Sequence, residues 1–277
     1  MKIFKLYLKR IGVASYREIL REMAEDKVHG ASWYFARAID LVEEAQAEGI
    51  PAEAVSRDLL GVRPGMASLA NVADLVGRAY GPGLVRVLRD YWLRARGLVK
   101  ESFSRLNWLK NVVTISYSSN VADLASSLNI RVIPLESRPG DEAFEWVKIG
   151  FRPVPDLAMA VFVRDADAVV MGCDGMYVDG ILNKVGSLPL ALTAKYLNKP
   201  VVVVLESFKA IDSPTPPSLF TVNYNGVEVP LFEQVPYSLI DVVVTDVGVF
   251  ERPTGEAAST ISREFRRRVL EALGKFK

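Results

Sequence analysis

Residues 169–209 contain four polar side chains whose positions indicate anion chemistry: Asp174, Asn183, Lys184 and Lys209. Asp174 follows an apolar run, where a carboxylate serves either as a helix N-cap or as a general acid or base. Asn183 and Lys184 directly precede the sequence VGSLPLALTAKYL, so we expect them near the N-terminus of a helix. Backbone N–H groups, the helix dipole and an ammonium group together form a phosphate cradle. The alternative is a capping Asn beside a solvent-exposed Lys.

Two further residues in this half of the chain could take part in chemistry. Arg138 lies in the sequence ESRPG after an apolar run, where a planar guanidinium can bind phosphate through two hydrogen bonds. A surface salt bridge is the alternative role for Arg138. We interpret Cys173 as a small residue buried under a sheet rather than as a reactive thiol. Its side chain is expected to point away from that of Asp174.

Residues 1–108 are predicted to form a helical N-terminal domain. Ile19, Leu20 and Met23 recur at the spacing of three to four residues that is typical of an amphipathic helix. Gly49 is expected to end one helix, and Pro51 to lie in the first turn of the next. We expect about four to six helices in this segment.

From residue 111 the pattern changes to short β-branched runs separated by segments of helix length. The runs are NVVTIS, IRVIPLE, ADAVVMG, PVVVVLE and LIDVVVTD. Because their hydrophobicity is continuous rather than alternating, we expect strands buried on both faces, as in a parallel sheet covered by helices. Residues 109–277 are therefore predicted to be an α/β domain. Residues 212–230 are expected to form a Pro-rich surface loop closed by an Asn-Gly turn.

Parallel sheets of this kind bind ligands at the carboxyl ends of their strands. Polar residues or Gly follow all five predicted strands, in segments 116–119, 136–138, 172–174, 206–209 and 245–248. Their convergence predicts a binding site at this edge of the sheet.

The composition argues against several classes of protein. Lys and Arg number 34 against 33 Asp and Glu, so no overall field draws the chain to nucleic acid or to an acidic membrane. One Cys and one His argue against a disulfide framework, a metal centre and a Ser-His-Asp triad, and we expect no cofactor. The sequence MKIFKLYLKR lacks the apolar core of a signal peptide, and a lone Cys suits a reducing compartment. We therefore expect a cytoplasmic protein.

Several motifs of this sequence, and their order, resemble those of one known family. The family contains the α, β and δ regulatory subunits of translation initiation factor 2B and two isomerases, which act on ribose 1,5-bisphosphate and on methylthioribose 1-phosphate. The matching segments are VHGAS (28–32), RPGMASL (63–69), VVTISYSSNVADLA (112–125), LESRP (135–139), VVMGCDGMYVDGILNKVGSLPLALTAK (169–195), NKPVVVVLESFK (198–209) and VPYSLIDVVVTDVGV (235–249). The resemblance implies a Rossmann-like C-terminal domain after the helical one, with a pocket between them. It also implies a phosphorylated small molecule as ligand, dimers formed through the C-terminal domain, and initiation-factor proteins as possible partners.

The resemblance assigns phosphate-binding roles to residues at matching positions: His29, Gly30, Ala31, Arg63, Arg138, Asn183, Lys184 and Lys209. Two departures weaken the match to the isomerases. Isomerases of the ribose bisphosphate kind carry Arg-Gly-Ala where this chain has His29-Gly30-Ala31. The segment DGILNK is also one residue shorter than the usual family segment.

The resemblance also identifies a candidate catalytic pair. In the isomerases, a Cys from a strand ending in Thr-His-Cys-Asn works with an Asp to move the proton between ketose and aldose. Here Ser116 occupies the Cys position, whereas Asp174 is retained. A thiol with a pKa of roughly 8.5 exchanges protons near neutrality, and an unassisted serine hydroxyl does not. We therefore expect a non-catalytic regulatory-subunit homologue that binds a sugar phosphate or a nucleoside monophosphate. The alternative is an isomerase with altered chemistry, driven by Asp174 alone or with Ser116.

Overall fold

The computed structural model describes residues 14–26 and 28–274, so the expectation about the first ten residues lies outside the described part of the chain. Ten α-helices are present there: α1 Tyr16–Glu25, α2 Ala31–Glu48, α3 Ala52–Val62, α4 Ala67–Ala79, α5 Pro82–Glu101, α6 Ser119–Leu128, α7 Ala143–Lys148, α8 Met159–Asp165, α9 Ser187–Tyr196 and α10 Gly255–Ala272. Helices α1–α5 precede the first strand, which agrees with the predicted helical N-terminal region. Within the described ranges, no helix has the length and apolar character needed to cross a membrane.

The N-terminal helices pack around a shared apolar core. Helix α2 ends at Gly49, whose φ of 73° is the left-handed geometry that glycine adopts without strain, so the predicted C-cap is confirmed. Pro51 lies immediately before α3 as its N-cap, one residue earlier than expected. In the core, the rings of Phe35 and Phe208 stack with their centroids 3.9 Å apart. This contact joins α2 to a segment from the second half of the chain.

The strands are β1 Asn111–Thr114, β2 Arg131–Pro134, β3 Ala168–Met171, β4 Gly175–Tyr177, β5 Gly180–Lys184, β6 Val201–Val204, β7 Thr221–Tyr224, β8 Val227–Pro230, β9 Phe232–Val235, β10 Val242–Thr245 and β11 Gly248–Glu251. The main sheet has the order β11-β10-β6-β3-β1-β2. The five predicted runs pair in parallel within it, and β11 is antiparallel at one edge. The predicted parallel sheet is confirmed.

Both faces of the main sheet are covered, because alternate residues of each strand point to opposite sides. On β3, Val169 and Met171 pack in one cluster with α8, α9 and α10, whereas Ala168 and Val170 pack in another with α5, α6 and α7. Helix α10 continues beyond the sheet, and its Phe265 lies in the core of the N-terminal helices. The two halves of the molecule are thus tied together by apolar contacts next to the strand ends.

The segment between β3 and α9 contains two strands that are not among the five predicted runs. Strands β4 and β5 form an antiparallel hairpin, and β5 also pairs with β9 in a three-stranded sheet. The sequence hides this hairpin because both strands are short and buried throughout, so they show no alternation. Strands β7 and β8 form a second hairpin within residues 212–230. Asn225 and Gly226 both have positive φ at its turn, so the predicted Asn-Gly turn is confirmed.

Candidate functional site

A cavity of about 310 Å³ lies at the carboxyl ends of the central strands β1, β3 and β6. The N-terminal end of α2, the side of α5 that carries Trp92 and Arg96, and the end of β5 complete its walls. Residues from the predicted segments 116–119, 172–174 and 206–209, which follow β1, β3 and β6, line the cavity, whereas the predicted segments 136–138 and 245–248 after the outer strands β2 and β10 do not. Because β2 and β3 lie on opposite sides of β1, the cavity lies at the topological switch point of the sheet.

Nearly all of the predicted site residues come together at this cavity. Those that line it are His29, Gly30, Ala31, Arg63, Ser116, Asp174, Asn183, Lys184 and Lys209. Arg138 is not among the lining residues. Its side chain is 53% exposed, and its guanidinium lies 3.2 Å from the carboxylate of Asp141, which is the alternative role considered for it.

The phosphate cradle predicted at the N-terminus of α9 is not formed there. Asn183 and Lys184 belong to β5, and the helix starts after them. The backbone N–H groups of Gly186 and Leu188 both donate to Glu233 Oε1. This helix end is therefore already occupied by a carboxylate, and only the side chains of Asn183 and Lys184 remain available to the cavity.

The helix N-terminus that faces the cavity is instead that of α2. Its N-cap Gly30 supplies no side-chain cap, and the backbone N–H of Ala31 donates to Asp174. Asp174 itself precedes β4 rather than a helix, so it is not the N-cap of its own segment. Burial raises the pKa of Asp174 above its ordinary value, although the charges of Lys209 and Arg63 act in the opposite direction. The carboxyl group of Asp174 thus lies at a helix N-terminus, which stabilises negative charge, whereas its burial favours the neutral form.

Both lysines of the cavity form buried ion pairs. Lys184 is 1% exposed, and its Nζ lies 2.6 Å from Glu142 Oε1. Burial lowers the pKa of Lys184, while the charge of Glu142 opposes that effect. Lys209 Nζ lies 2.8 Å from Glu206 Oε2. Each of the two lysines therefore already has a carboxylate partner before a ligand binds.

Glu206 connects three parts of the structure. Its carboxylate accepts a hydrogen bond from Ser32 Oγ on α2 at 2.9 Å and one from Asn120 Nδ2 on α6 at 2.9 Å. Burial alone would raise the pKa of Glu206, but the charge of Lys209 and these hydrogen bonds hold it below its ordinary value. Glu206 therefore stays ionised and ties the N-terminal helices to the sheet beside the cavity.

Arg63 is the third buried cation of the cavity. Its guanidinium donates to the backbone oxygen of Asp26 and lies 3.9 Å from the carboxylate of the same residue. It also stacks between two rings, with its Cζ 4.9 Å from the centroid of Tyr34 and 4.4 Å from that of Phe220. These contacts fix the guanidinium firmly in one place.

Ser116 lies in the cavity wall with a tightly held backbone. Its φ is 58°, its N–H donates to Ser137 Oγ at 2.7 Å, and its carbonyl oxygen accepts from Trp146 Nε1 at 2.9 Å. Among the described residues, no base is hydrogen-bonded to Ser116 Oγ. The fold brings His29 to the same cavity, but its Nδ1 lies 2.6 Å from Asp26 Oδ1.

The mouth of the cavity is lined by aromatic side chains. Trp33 stacks on His29 with centroids 4.5 Å apart, and Trp92 and Tyr117 also line the opening. All four side chains are partly or largely solvent-exposed. A planar or sugar-like group can therefore contact ring surfaces at the mouth while an anionic group reaches the interior.

Sequence reasoning does not identify the acidic partners Glu142 and Glu206. Glu206 precedes Lys209 by three residues, and this spacing is a weak local signal for an ion pair within a helical turn. Glu142 has no such signal, because it lies far from Lys184 in the sequence and reaches it only through the fold.

Known proteins resemble this chain in sequence and in fold. Residues 104–220 match the Initiation factor 2 subunit family. A Pyrococcus furiosus protein whose name describes it as eIF-2B subunit 2-like is 28% identical over 265 residues, which cover 85% of this chain and 96% of that protein. The ribose 1,5-bisphosphate isomerase of Archaeoglobus fulgidus is 27% identical over 232 residues, covering 69% of this chain and 73% of the isomerase.

A crystal structure of translation initiation factor eIF-2B from Pyrococcus horikoshii OT3 has a similar fold. Its TM-score is 0.75 at 24% sequence identity, over 86% of this chain and 97% of that chain. These matches confirm the resemblance predicted from the sequence: residues 104–220 match the Initiation factor 2 subunit family, and the similar proteins include both eIF-2B-like proteins and a sugar-phosphate isomerase.

Proposed function

We propose that this protein is a non-catalytic homologue of the translation initiation factor 2B regulatory subunits. It binds a sugar phosphate or a nucleoside monophosphate in the cavity between its helical segment (1–108) and its parallel-sheet segment (109–277). The observation that carries the proposal is that Arg63, Lys184 and Lys209 line one cavity together with Ser116, at the position where the isomerases have Cys. Such a regulatory role would be performed in the cytoplasm.

The chemistry of the cavity supports binding more strongly than turnover. Isomerisation needs a group that gives and takes a proton near neutral pH. Ser116 has no bonded base among the described residues. Cys173 also lines the cavity, but it is only 4% exposed and belongs to the apolar cluster that β3 shares with α8, α9 and α10. Burial raises the pKa of the Cys173 thiol well above its ordinary value, so this thiol does not replace the missing one. Asp174 is left without a partner of suitable acidity.

A phosphorylated ligand suits the layout of the cavity. The N-terminus of α2, which has no side-chain cap, stabilises negative charge through the helix dipole and its backbone N–H groups. The ammonium group of Lys209 has three N–H donors and directs one of them to Glu206, so the others remain available for a phosphate oxygen. The rings at the mouth can contact a ribose or a base.

Calorimetry with a panel of ribose phosphates and nucleoside monophosphates tests the proposal. We expect at least one of them to bind, and the double variant Lys209→Met/Glu206→Gln to weaken that binding by roughly tenfold or more, because the charge-assisted contact of Lys209 with the phosphate is lost and no buried charge is left unpaired. The matched control is Lys195→Met on α9, which removes an exposed lysine outside the cavity. Circular dichroism of both variants checks that they fold. Binding that is equal in the two variants, or absent throughout the panel, contradicts the proposal.

The alternative function is a sugar-phosphate isomerase with altered chemistry, and retention of Asp174 in the cavity favours it. It predicts turnover of ribose 1,5-bisphosphate or methylthioribose 1-phosphate by the wild-type chain, abolished by Asp174→Asn and increased by Ser116→Cys. Enzyme-like turnover with this pattern would replace the regulatory proposal. No turnover by the wild-type chain together with ligand binding supports the regulatory proposal.

We also propose that the protein forms a homodimer through its α/β half. Four exposed apolar residues lie on the neighbouring helices α8 and α9 and on the turn before α8, and we name them the α8–α9 patch: Leu157, Val161, Leu192 and Tyr196. Leu157 is 99% exposed and Tyr196 is 87% exposed. Large exposed apolar groups that cluster in this way are typical of protein interfaces. The family resemblance implies dimers, so we propose that this patch packs against the same patch of a second copy of the chain.

A further inference from the structure

We infer that the cavity selects ligands with one phosphate over ligands with two, and that Glu142 is the residue that sets this preference. The inference deepens the proposed function and rests on it. It concerns the class of ligand and depends on how charge is distributed along the cavity walls.

The charged lining of the cavity is nearly balanced before any ligand enters. Its cations are Arg63, Arg96, Lys184 and Lys209, and its carboxyl groups are Glu142, Asp174 and Glu206. Two carboxylates behind the wall balance it further, because Asp26 lies beside Arg63 and Asp123 lies 2.5 Å from Arg96 Nε. A phosphate monoester carries a charge of about −1.5 to −2 at neutral pH, and a bisphosphate carries about twice that. These four cations thus face five carboxyl groups, so the walls hold no surplus of positive charge, and each added phosphate must share a cation that already has a carboxylate partner.

The two ends of the cavity differ in how accessible their positive charge is. At the α2 end, Lys209 and the N-terminal N–H groups of the helix face Asp174, whose burial disfavours the ionised form. Glu206 is held there by Ser32 and Asn120 as well as by Lys209, so it stays satisfied when Lys209 also contacts a phosphate. This end can accept an anion without leaving a buried carboxylate unpaired.

At the other end, the positive charge of Lys184 is enclosed. Its Nζ donates to Glu142 Oε1 and to the carbonyl oxygen of Pro139, each at 2.6 Å. The backbone of Gly140 packs so closely against the pair that a Cβ there would lie 2.5 Å from Lys184 Nζ. Among the described residues, Glu142 Oε2 has no hydrogen-bond partner. A second phosphate at this end would therefore meet a buried carboxylate that depends on Lys184 alone for its countercharge.

The consequence follows from the cost of an unpaired buried charge. If a second phosphate took Lys184, Glu142 would lose its partner and repel the phosphate at close range, which is costly in a desolvated site. If the phosphate left the ion pair intact, it would have no cation of its own at this end. Either way, a bisphosphate gains little from its second phosphate and carries the cost of desolvating it.

The test is calorimetric titration of the full chain with ribose 5-phosphate and with ribose 1,5-bisphosphate. We expect the wild-type protein to bind the monophosphate about tenfold more tightly or better. Glu142→Gln keeps the shape of the side chain and removes its charge, so we expect it to shift the ratio of affinities roughly tenfold towards the bisphosphate. The matched control is Asp141→Asn, which removes the same charge from the neighbouring residue, whose side chain is 64% exposed and lies outside the cavity.

The outcomes separate the inference from the proposed function. Equal or tighter binding of the bisphosphate by the wild-type protein overturns the inference and leaves the proposed function standing. The inference is also overturned if Asp141→Asn shifts the ratio of the two affinities as much as Glu142→Gln does, because the effect would then come from net charge alone. Binding of neither compound, nor of any other phosphate ester, overturns both. If Glu142→Gln does not fold, the ratio of the two affinities measured with the wild-type protein tests the preference for one phosphate by itself.

Discussion

Replacing Lys209 with Met removes the countercharge of Glu206, a carboxylate that is 2% exposed. We expect this single change to destabilise the fold strongly. Ser32 Oγ and Asn120 Nδ2, each 2.9 Å from the carboxylate, remain as neutral donors, but neither supplies a positive charge. Removal of one partner of a buried ion pair typically costs about 3–5 kcal/mol, and the two retained hydrogen bonds place our expectation near the lower end, at about 3 kcal/mol.

The double variant Lys209→Met/Glu206→Gln should recover much of this loss. The amide oxygen of Gln still accepts a hydrogen bond from Asn120 or Ser32, and no buried charge is left unpaired. We expect the double variant to be less than about 1.5 kcal/mol below the wild type, since replacing both partners is far less costly than removing one. The comparison thereby separates the cost of an orphaned charge from the loss of side-chain packing.

Urea unfolding followed by tryptophan fluorescence provides the measurement, with Lys195→Met as the exposed control. The pKa of Glu206 is held below its ordinary value in the folded protein, so its pairing contributes stability above the ordinary Glu pKa of about 4.3 and loses it as the pH falls through the folded value. The deficit of Lys209→Met should therefore shrink in acid, where Glu206 becomes neutral in the variant. A deficit below about 1 kcal/mol at neutral pH, or a double variant no more stable than the single one, refutes the reasoning.

Three further outcomes are expected. Asp174→Asn should raise the thermal midpoint of unfolding at neutral pH and leave it unchanged near pH 3. Burial raises the pKa of Asp174 in the folded protein, so its ionised form costs stability only above the ordinary Asp pKa of about 3.9. An equal effect of the substitution at both pH values contradicts this expectation. Gly172→Ala should cost about 1–3 kcal/mol in urea unfolding because its Cβ would lie 2.7 Å from Ser118 Oγ, whereas Gly77→Ala, with nothing within 4 Å, should be neutral or stabilising. Tyr196→Asp should convert the proposed dimer to monomer in light scattering, and an unchanged molar mass counts against the α8–α9 patch as the interface.

The parallel sheet could be predicted because its signal is local. Each run such as PVVVVLE is short, β-branched and continuously apolar, and burial on both faces of a parallel sheet produces that pattern. The rule that ligands bind at the carboxyl ends of strands then placed residues 116–119, 172–174 and 206–209 correctly at one cavity. The β4–β5 hairpin was not predicted because two short, fully buried strands show no alternation. Asn183 and Lys184 were therefore expected at the N-terminus of a helix rather than in β5.

The identity of the cavity's basic residues was determined by the sequence, through positions such as Arg63 and Lys209 that match a family. Tertiary structure alone decided that Arg63 and Lys184 each meet a carboxylate, whereas Lys209 pairs with Glu206 only three residues away in the chain. The periods of helices and strands report on neighbours two to four residues apart, whereas Glu142 reaches Lys184 across 42 residues of chain. Only the folding of β5 against the segment after β2 brings those charges together, and that pairing, rather than the number of lysines, controls how much negative charge the cavity can accept.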